Sequence, residues 1–368
     1  VLKSRRKSLE SGRVAEVGLD AKDHRMLNAL PRNLARAYRG WNVKGRVARF
    51  SGWLEASKRA ADDGGDYDHT ETVNAYYDLC SEFMQFGWNE SLHFAPLTPD
   101  ETLEDSILRH QRLMIDRLQL REGMRVVDVG CGFGGPMRRV ARESGASVFC
   151  INNNGQQLEK AKRLNVAAGL DHMAEYLQCS FMDMSAIEAN TFDGAYAIES
   201  TCHAPDKQGA FAEIFRVMKP GALFWGQEMC LTDAFDPNDG YHRAVEKDLM
   251  LGIALREIAT FTAVNDALEA VGFEIVEAND LGVQEGPSTP WYQPMAGRRG
   301  TLRSAFRRTP WGRKAMIGSL RLAEALRVFP RGSAAVVRLM DQTADAYVKG
   351  GESGIFTPLY CFLARKPG

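Results

Sequence analysis

Val126-Val127-Asp128-Val129-Gly130-Cys131-Gly132-Phe133-Gly134-Gly135 is the stretch whose residue types and spacing speak most directly of chemistry. Glycines at that density let a backbone turn tightly and let a ligand touch main-chain atoms. Dinucleotide-binding folds use the related G-x-G-x-x-G to hold a pyrophosphate. Here Asp128 stands two residues before Gly130, and a carboxylate beside such a loop suits a cationic ligand better than a diphosphate. A nicotinamide-dinucleotide site and a turn with no ligand are the alternatives. Asn152-Asn153-Asn154 closes a second strand-like run; ligands bind outside the carboxyl ends of parallel strands, where a ribose would meet Asn152, although three Asn in a row also make a turn. Phe181 and Met182 are placed to sandwich a flat base. Glu199 and His203 follow a later strand and are candidates for proton transfer. Tyr76, Tyr77, Phe83, Phe86, Trp88 and Phe94 supply aromatic rings, at a spacing that predicts core packing as readily as a binding face.

The elements that must position these residues follow from periodicity. Residues 71–84 and 101–119 carry apolar side chains every three to four positions, which predicts helices. The period then shortens. Strands are expected at 125–129, 148–151, 174–179, 193–198, 222–230 (after a break at Lys219-Pro220-Gly221), 273–278 and 357–364. Helices are expected at 136–143, 155–168 and 207–218, and residues 300–348 read as helical and basic. Strands alternating with helices imply a parallel, doubly wound α/β sheet with right-handed crossovers. The organisation read from this is a basic segment 1–70, a helical lid 71–121, a core 122–280 and a C-terminal segment 281–368.

The 368 residues are 45% hydrophobic and 25% charged, enough for a large core and too apolar for disorder. A formal net charge of −1 argues against nucleic acid as the partner. That average hides two basic regions: residues 1–60 hold fifteen Lys and Arg against five acids, and residues 298–331 hold ten against Glu324 alone. Two readings stay open for them, an ordinary solvated surface and contact with an anionic face such as a membrane. No run of apolar residues is long enough for a transmembrane helix. Seven cysteines without a C-x-x-C pair read as reduced thiols in a reducing compartment, and no His/Cys spacing suggests a metal. The sequence starts at Val1 rather than Met, which leaves room for an upstream segment.

The glycine stretch resembles the first motif, D-x-G-C-G-x-G, of class I S-adenosylmethionine-dependent methyltransferases. Further stretches resemble the sterol C-24 methyltransferase family: Tyr76-Tyr77-Asp78-Leu79, Phe86-Gly87-Trp88 with Ser91-Leu92-His93-Phe94, Asn152-Asn153-Asn154, Ala197-Ile198-Glu199-Ser200-Thr201-Cys202-His203-Ala204-Pro205, Pro290-Trp291-Tyr292, and Ile355-Phe356-Thr357-Pro358 through Ala364-Arg365-Lys366-Pro367. They run in order over about residues 70–368. The resemblance implies a Rossmann-like methyltransferase sheet with a helical N-terminal lid and a C-terminal α+β sterol methyltransferase extension. It also implies transfer of a methyl group from S-adenosylmethionine, leaving S-adenosylhomocysteine, to the side-chain double bond of a sterol at a membrane. The cofactor site is then expected at Asp128, Gly130, Cys131, Gly132, Gly134, Asn152, Asn153, Gln157, Phe181, Met182 and Ile198. The expected catalytic residues are Glu199, as cation stabiliser or base, His203, as proton acceptor or relay, Tyr76 and Tyr77. Phe83, Phe86, Trp88, His93, Phe94 and Trp291 are expected to line the sterol, and no metal is expected. A peripheral membrane surface at the endoplasmic reticulum or a cytoplasmic location, and a homo-oligomer, complete the expectation.

Methyl transfer to an alkene leaves a tertiary carbocation, which calls for a dry pocket, aromatic faces and a base. The chain departs from the family where Met84-Gln85-Phe86, Arg109-His110-Gln111 and Gly252-Ile253-Ala254 put neutral groups in place of carboxylates. The base-reading acid that usually precedes the adenine pocket falls on Ser180. Two other functions compete: a methyltransferase for another isoprenoid lipid, triterpene or tocopherol-type, and a lipid-binding protein that keeps the fold without turnover.

Overall fold

The computed structural model describes residues 45, 48, 52, 73–77, 80, 90–99, 101–283, 288–296, 310–327, 329 and 331–368. Residues 73–77 are helical. Helix α1 (Leu103–Arg117) starts at Thr102, whose hydroxyl accepts from the Asp105 N–H while the Asp105 carboxylate reaches back to the Thr102 N–H. This reciprocal cap satisfies two donors that a helix start otherwise leaves unpaired.

From there strand and helix alternate: β1 (Arg125–Val129), α2 (Gly135–Ser144), β2 (Ser147–Asn152), α3 (Gly155–Ala167), β3 (Ala174–Gln178), β4 (Phe192–Ile198), α4 (Lys207–Val217) and β5 (Met218–Leu231). The chain continues through α5 (Gly240–Ile253), α6 (Phe261–Val271), β6 (Glu274–Asp280), α7 (Pro310–Ala325), α8 (Ser333–Glu352) and β7 (Phe356–Arg365). The seven strands form one sheet in the order β3-β2-β1-β4-β5-β7-β6. Strands β1 to β5 pair in parallel, and β7 runs antiparallel between β5 and β6. The strand order reverses between β1 and β4, which opens a crevice at their carboxyl ends.

Alternation along the central strands sends side chains to two cores. Val127, Val129, Phe192, Phe211, Phe224 and Phe362 pack in one, and Val126, Val140, Val148, Tyr196 and Trp225 in the other. A third apolar cluster joins α5, α8 and the ends of β5 and β7 through Leu249, Tyr347, Phe356 and Trp291.

Three features differ from the sequence-based expectation. The Lys219-Pro220-Gly221 break is a bulge inside β5: pairing with β4 jumps from Phe192↔Met218 to Gly194↔Leu223. Proline lacks the N–H that a regular ladder needs, and a bulge accommodates it. Helices α5 and α6 occupy a stretch where no element was expected. Helix α5 lies against α8, where Thr343 donates its hydroxyl proton to the Gly252 carbonyl at 3.0 Å, so tertiary contacts rather than a sharp apolar stripe define it. The strand expected at 357–364 forms as β7 but runs antiparallel to β5 and β6, where a parallel sheet was expected. Its approach to β5 is close: a Cβ on Gly226 would lie 2.0 Å from the ring of Phe362.

Candidate active site

A cleft of about 870 Å³ opens at the crevice between β1 and β4. Asp128, Gly130, Cys131, Gly132, Asn152, Asn153, Gln157, Phe181, Met182 and Ile198 line it, and so do Tyr77, Glu199 and His203. Gly134 does not; it sits at the start of α2 in a left-handed conformation with φ 71° and serves the turn into that helix. Val73, Ser91, Leu92, Pro136, Ser180, Ser200 and Pro205 are wall residues that the site expectation did not include.

The glycine loop is anchored by its backbone. The N–H groups of Gly130 and Cys131 both donate to the Ile151 carbonyl at 3.0 Å. Gly130 has φ 84°, and a Cβ there would fall 2.4 Å from that of Ser200. Ser200 in turn donates its hydroxyl proton to the Val129 carbonyl. Asp128 is buried, and Tyr196 Oη donates to its Oδ2 at 3.0 Å. Burial pushes the Asp128 carboxyl up to about 7, with the Tyr196 hydrogen bond opposing that shift.

The asparagine run is both turn and wall. Asn152 Oδ1 accepts from the Asn154 N–H and Asn152 Nδ2 donates to Gln157 Oε1, each at 3.0 Å. Asn154 caps α3 by accepting the Gln157 N–H at 3.0 Å. The turn therefore fixes Asn152, Asn153 and Gln157 against the cleft. These residues fit a nucleoside whose sulfur carries positive charge: a buried carboxylate with a raised proton affinity is waiting for a cation, and the side-chain amides can bond a diol.

Glu199 stands at the other side of the cleft, at the carboxyl end of β4, with φ 51°. Its Oε1 accepts from the Phe94 N–H at 2.6 Å and from Gln227 Nε2 at 2.8 Å. Burial drives its carboxyl well above the usual range, against the Phe94 hydrogen bond. His203 lies in the 3₁₀ turn Thr201–His203, and its Nε2 shares a 3.0 Å hydrogen bond with Tyr77 Oη. The turn is pinned from below: Thr201 Oγ1 donates to Glu228, and Lys207 Nζ donates to Glu228 Oε2 at 2.9 Å and to the Thr201 carbonyl at 3.1 Å.

The remaining expected residues are placed elsewhere. Tyr76 is buried with its ring edge on Tyr77. Phe94 and Trp291 pack edge to face at 5.4 Å in the third apolar cluster, where Tyr347 meets Phe94 at 5.1 Å. His93 is buried beside Gln111. None of these four rings lines the cleft; each fills the apolar or hydrogen-bonded layer behind it. Phe83, Phe86 and Trp88 lie outside the described residues. Among the described residues, no group of three or more His, Cys, Asp or Glu could hold a metal ion.

A family model for the methyltransferase domain matches residues 127–226, and one for the sterol methyltransferase C-terminal region matches residues 303–368. A mycolic acid cyclopropane synthase solved with S-adenosylhomocysteine shares the fold, with a TM-score of 0.61, 16% identity and coverage of 82% of this chain and 99% of that one. Sheet, glycine loop and domain match together define a class I S-adenosylmethionine-dependent methyltransferase. The cycloartenol-C-24-methyltransferase of Arabidopsis thaliana is 42% identical over 318 residues, covering 86% of this chain and 91% of that protein. The sterol 24-C-methyltransferase of Saccharomyces cerevisiae is 34% identical, covering 86% and 83%. The chain belongs to the sterol 24-C-methyltransferase family. These comparisons do not favour the triterpene or tocopherol-type alternative.

Proposed function

We propose that this chain methylates C-24 in the side-chain double bond of a sterol, in sterol biosynthesis. The observation that carries the reading is Glu199: a buried carboxyl in the same cleft as the glycine loop and Asp128. When bound, S-adenosylmethionine supplies an electrophilic sulfonium methyl group. Asp128, the glycine loop, Asn152, Asn153, Gln157, Phe181 and Met182 would hold it. Residues 71–121 act as the lid, with Val73, Tyr77, Ser91 and Leu92 as its contribution to the wall.

The π electrons of the sterol alkene form the new C–C bond, so no base is needed for that step. Positive charge is left on the neighbouring tertiary carbon. Glu199 opposes it as the carboxylate, the form that a cation in the cleft favours. Tyr77 Oη accepts the proton that is then lost as it passes its own to His203 Nε2, along the 3.0 Å hydrogen bond between them. Burial raises the Tyr77 hydroxyl above its ordinary value, so it enters the step protonated and passes its proton on only as it accepts the other. Incubation with labelled S-adenosylmethionine and cycloartenol, lanosterol, zymosterol and desmosterol, read by mass spectrometry, should give a methylated product from at least one sterol. No product from any of them, with cofactor uptake intact, overturns the reading.

A sterol must leave a bilayer to reach the cleft, and α7 supports docking on an anionic membrane, which we read as the endoplasmic reticulum surface. Trp311, Leu322 and Leu326 are 78%, 62% and 65% exposed, with Lys314, Arg321 and Arg327 beside them. An apolar face flanked by cations suits the headgroup region of anionic lipid. No helix among the described residues is long and apolar enough to cross a membrane. Co-sedimentation with phosphatidylserine vesicles should fall as salt rises, and several-fold in Trp311→Ala. Binding that depends on neither lipid charge nor salt removes the proposal.

A further inference from the structure

Gln227 lies fully buried in β5, paired with Ile198 of β4 on one side and Cys361 of β7 on the other. Its side chain is the centre of a polar network inside an otherwise apolar region. Gln227 Nε2 faces three acceptors: Glu199 Oε1 at 2.8 Å, the Pro358 carbonyl at 3.1 Å and the Phe94 carbonyl at 3.3 Å. Gln227 Oε1 faces His110 Nε2 at 2.8 Å. Three acceptors on one side oblige the amide nitrogen to point there, and its oxygen then needs a donor. His110 must therefore carry its proton on Nε2. Its Nδ1 is buried with no hydrogen-bond partner among the described residues, and burial holds the imidazole down at about 3, so it remains the neutral Nε2–H tautomer.

A second neutral histidine braces the same corner. His93 Nδ1 donates to the Phe94 carbonyl at 2.7 Å, and His93 Nε2 accepts from Gln111 Nε2 at 2.9 Å. Burial lowers His93 to about 4. The segment that gives its Phe94 N–H to Glu199 is thus held at the Phe94 carbonyl by His93 and Gln227.

We propose that Gln227 is a positioning residue for methyl transfer: its amide, aimed by His110, holds Glu199 Oε1 and leaves Oε2 and the carboxylate charge for the cleft. The inference rests on the role proposed above for Glu199. Two donors on Oε1 stabilise the ionised form of a carboxyl that burial alone would keep neutral. The titratable groups that face Glu199 are Tyr77, Cys202 in the 3₁₀ turn, Tyr347 on α8 and Cys361 on β7. Burial pushes all four upward, so each is neutral in the working range and none supplies the cation that would otherwise ionise Glu199. His203 shares the cleft. The neutral Gln227 amide and the Phe94 N–H are the two donors on Glu199 Oε1 that favour its charged form.

The test reads the Glu199 carboxyl directly. Infrared difference spectra of the full chain, referenced to Glu199→Gln, follow the protonated carboxyl band as pH is raised. In Gln227→Met, which keeps the length of the side chain and removes the donor, the band should persist about one pH unit higher. Turnover should fall roughly thirtyfold with the KM for S-adenosylmethionine within about twofold, since the donor acts on the charge that the transition state meets. His110→Leu should move the band in the same direction. A band that does not move in folded Gln227→Met, or turnover that does not fall, overturns the proposal; if Gln227→Met fails to fold, an unmoved band in His110→Leu overturns it instead. The band needs no sterol, so a chain that methylates none of the four sterols but shows the shift would sink the proposed activity and leave standing only the hold of Gln227 on the Glu199 charge.

Discussion

Glu199→Gln should keep the cofactor and lose turnover by a hundredfold to a thousandfold, the range seen when one preorganised charge-stabilising group is removed from an active site. The substitution is nearly isosteric. Its amide oxygen can still accept from the Phe94 N–H and from Gln227 Nε2, so the 2.6 and 2.8 Å contacts survive. What disappears is the negative charge opposite the developing carbocation. Affinity for S-adenosylhomocysteine, whose sulfur is neutral, should stay within a few-fold, and calorimetry measures it independently of catalysis. Full activity in the variant would remove Glu199 from the reaction.

Asp128→Asn should abolish tight uptake of S-adenosylmethionine while weakening S-adenosylhomocysteine much less. Asn keeps the size and can still accept from Tyr196 Oη, which lies 3.0 Å from the wild-type carboxylate; the variant removes charge alone. The wild type should also bind its cationic cofactor in a pH-dependent way. Burial raises the Asp128 carboxyl to about 7. Above that pH it is ionised and attracts the sulfonium. Below it the group is neutral, and affinity should fall by up to about tenfold for each pH unit. Stability of the empty protein runs the other way. A folded-state value raised above the unfolded one stabilises the fold below pH ~4, and that contribution is lost as pH climbs toward about 7. Isothermal titration from pH 5.5 to 8.5 separates the two ligands, and a flat profile for S-adenosylmethionine would exclude Asp128 as the charged contact.

Much of this cleft could be read from the sequence, for reasons that also mark where reading stops. The glycine loop follows a β-branched run and opens a helix, so local geometry alone places Asp128, Gly130 and Gly132 at a sheet edge. Glu199 and His203 came from the same logic, since the carboxyl end of β4 borders the crevice. Aromatic spacing was less informative. Tyr76 and Tyr77 are neighbours on one helical turn, yet only Tyr77 reaches the cleft, because a helix turns adjacent side chains about 100° apart and only tertiary packing decides which one faces the ligand. Gln227 left no trace. In Trp225-Gly226-Gln227-Glu228 nothing distinguishes an amide that braces a catalytic carboxyl from a polar residue on a solvated strand face. Its meaning arises only when α1 brings His110 against β5 and β7 brings the Pro358 carbonyl, contacts 117 and 131 residues apart in sequence.

The position of β7 bears on how the molecule is made. During synthesis β5 and β6 emerge long before the strand that separates them, and two hydrogen-bonding edges stay open until translation has passed Arg365. Such distant pairing slows folding and leaves sticky edges exposed to other nascent chains. The Gln227 brace, which draws on Pro358, is completed only when β7 docks, so the closing of those two edges and the tuning of the carboxyl are one event.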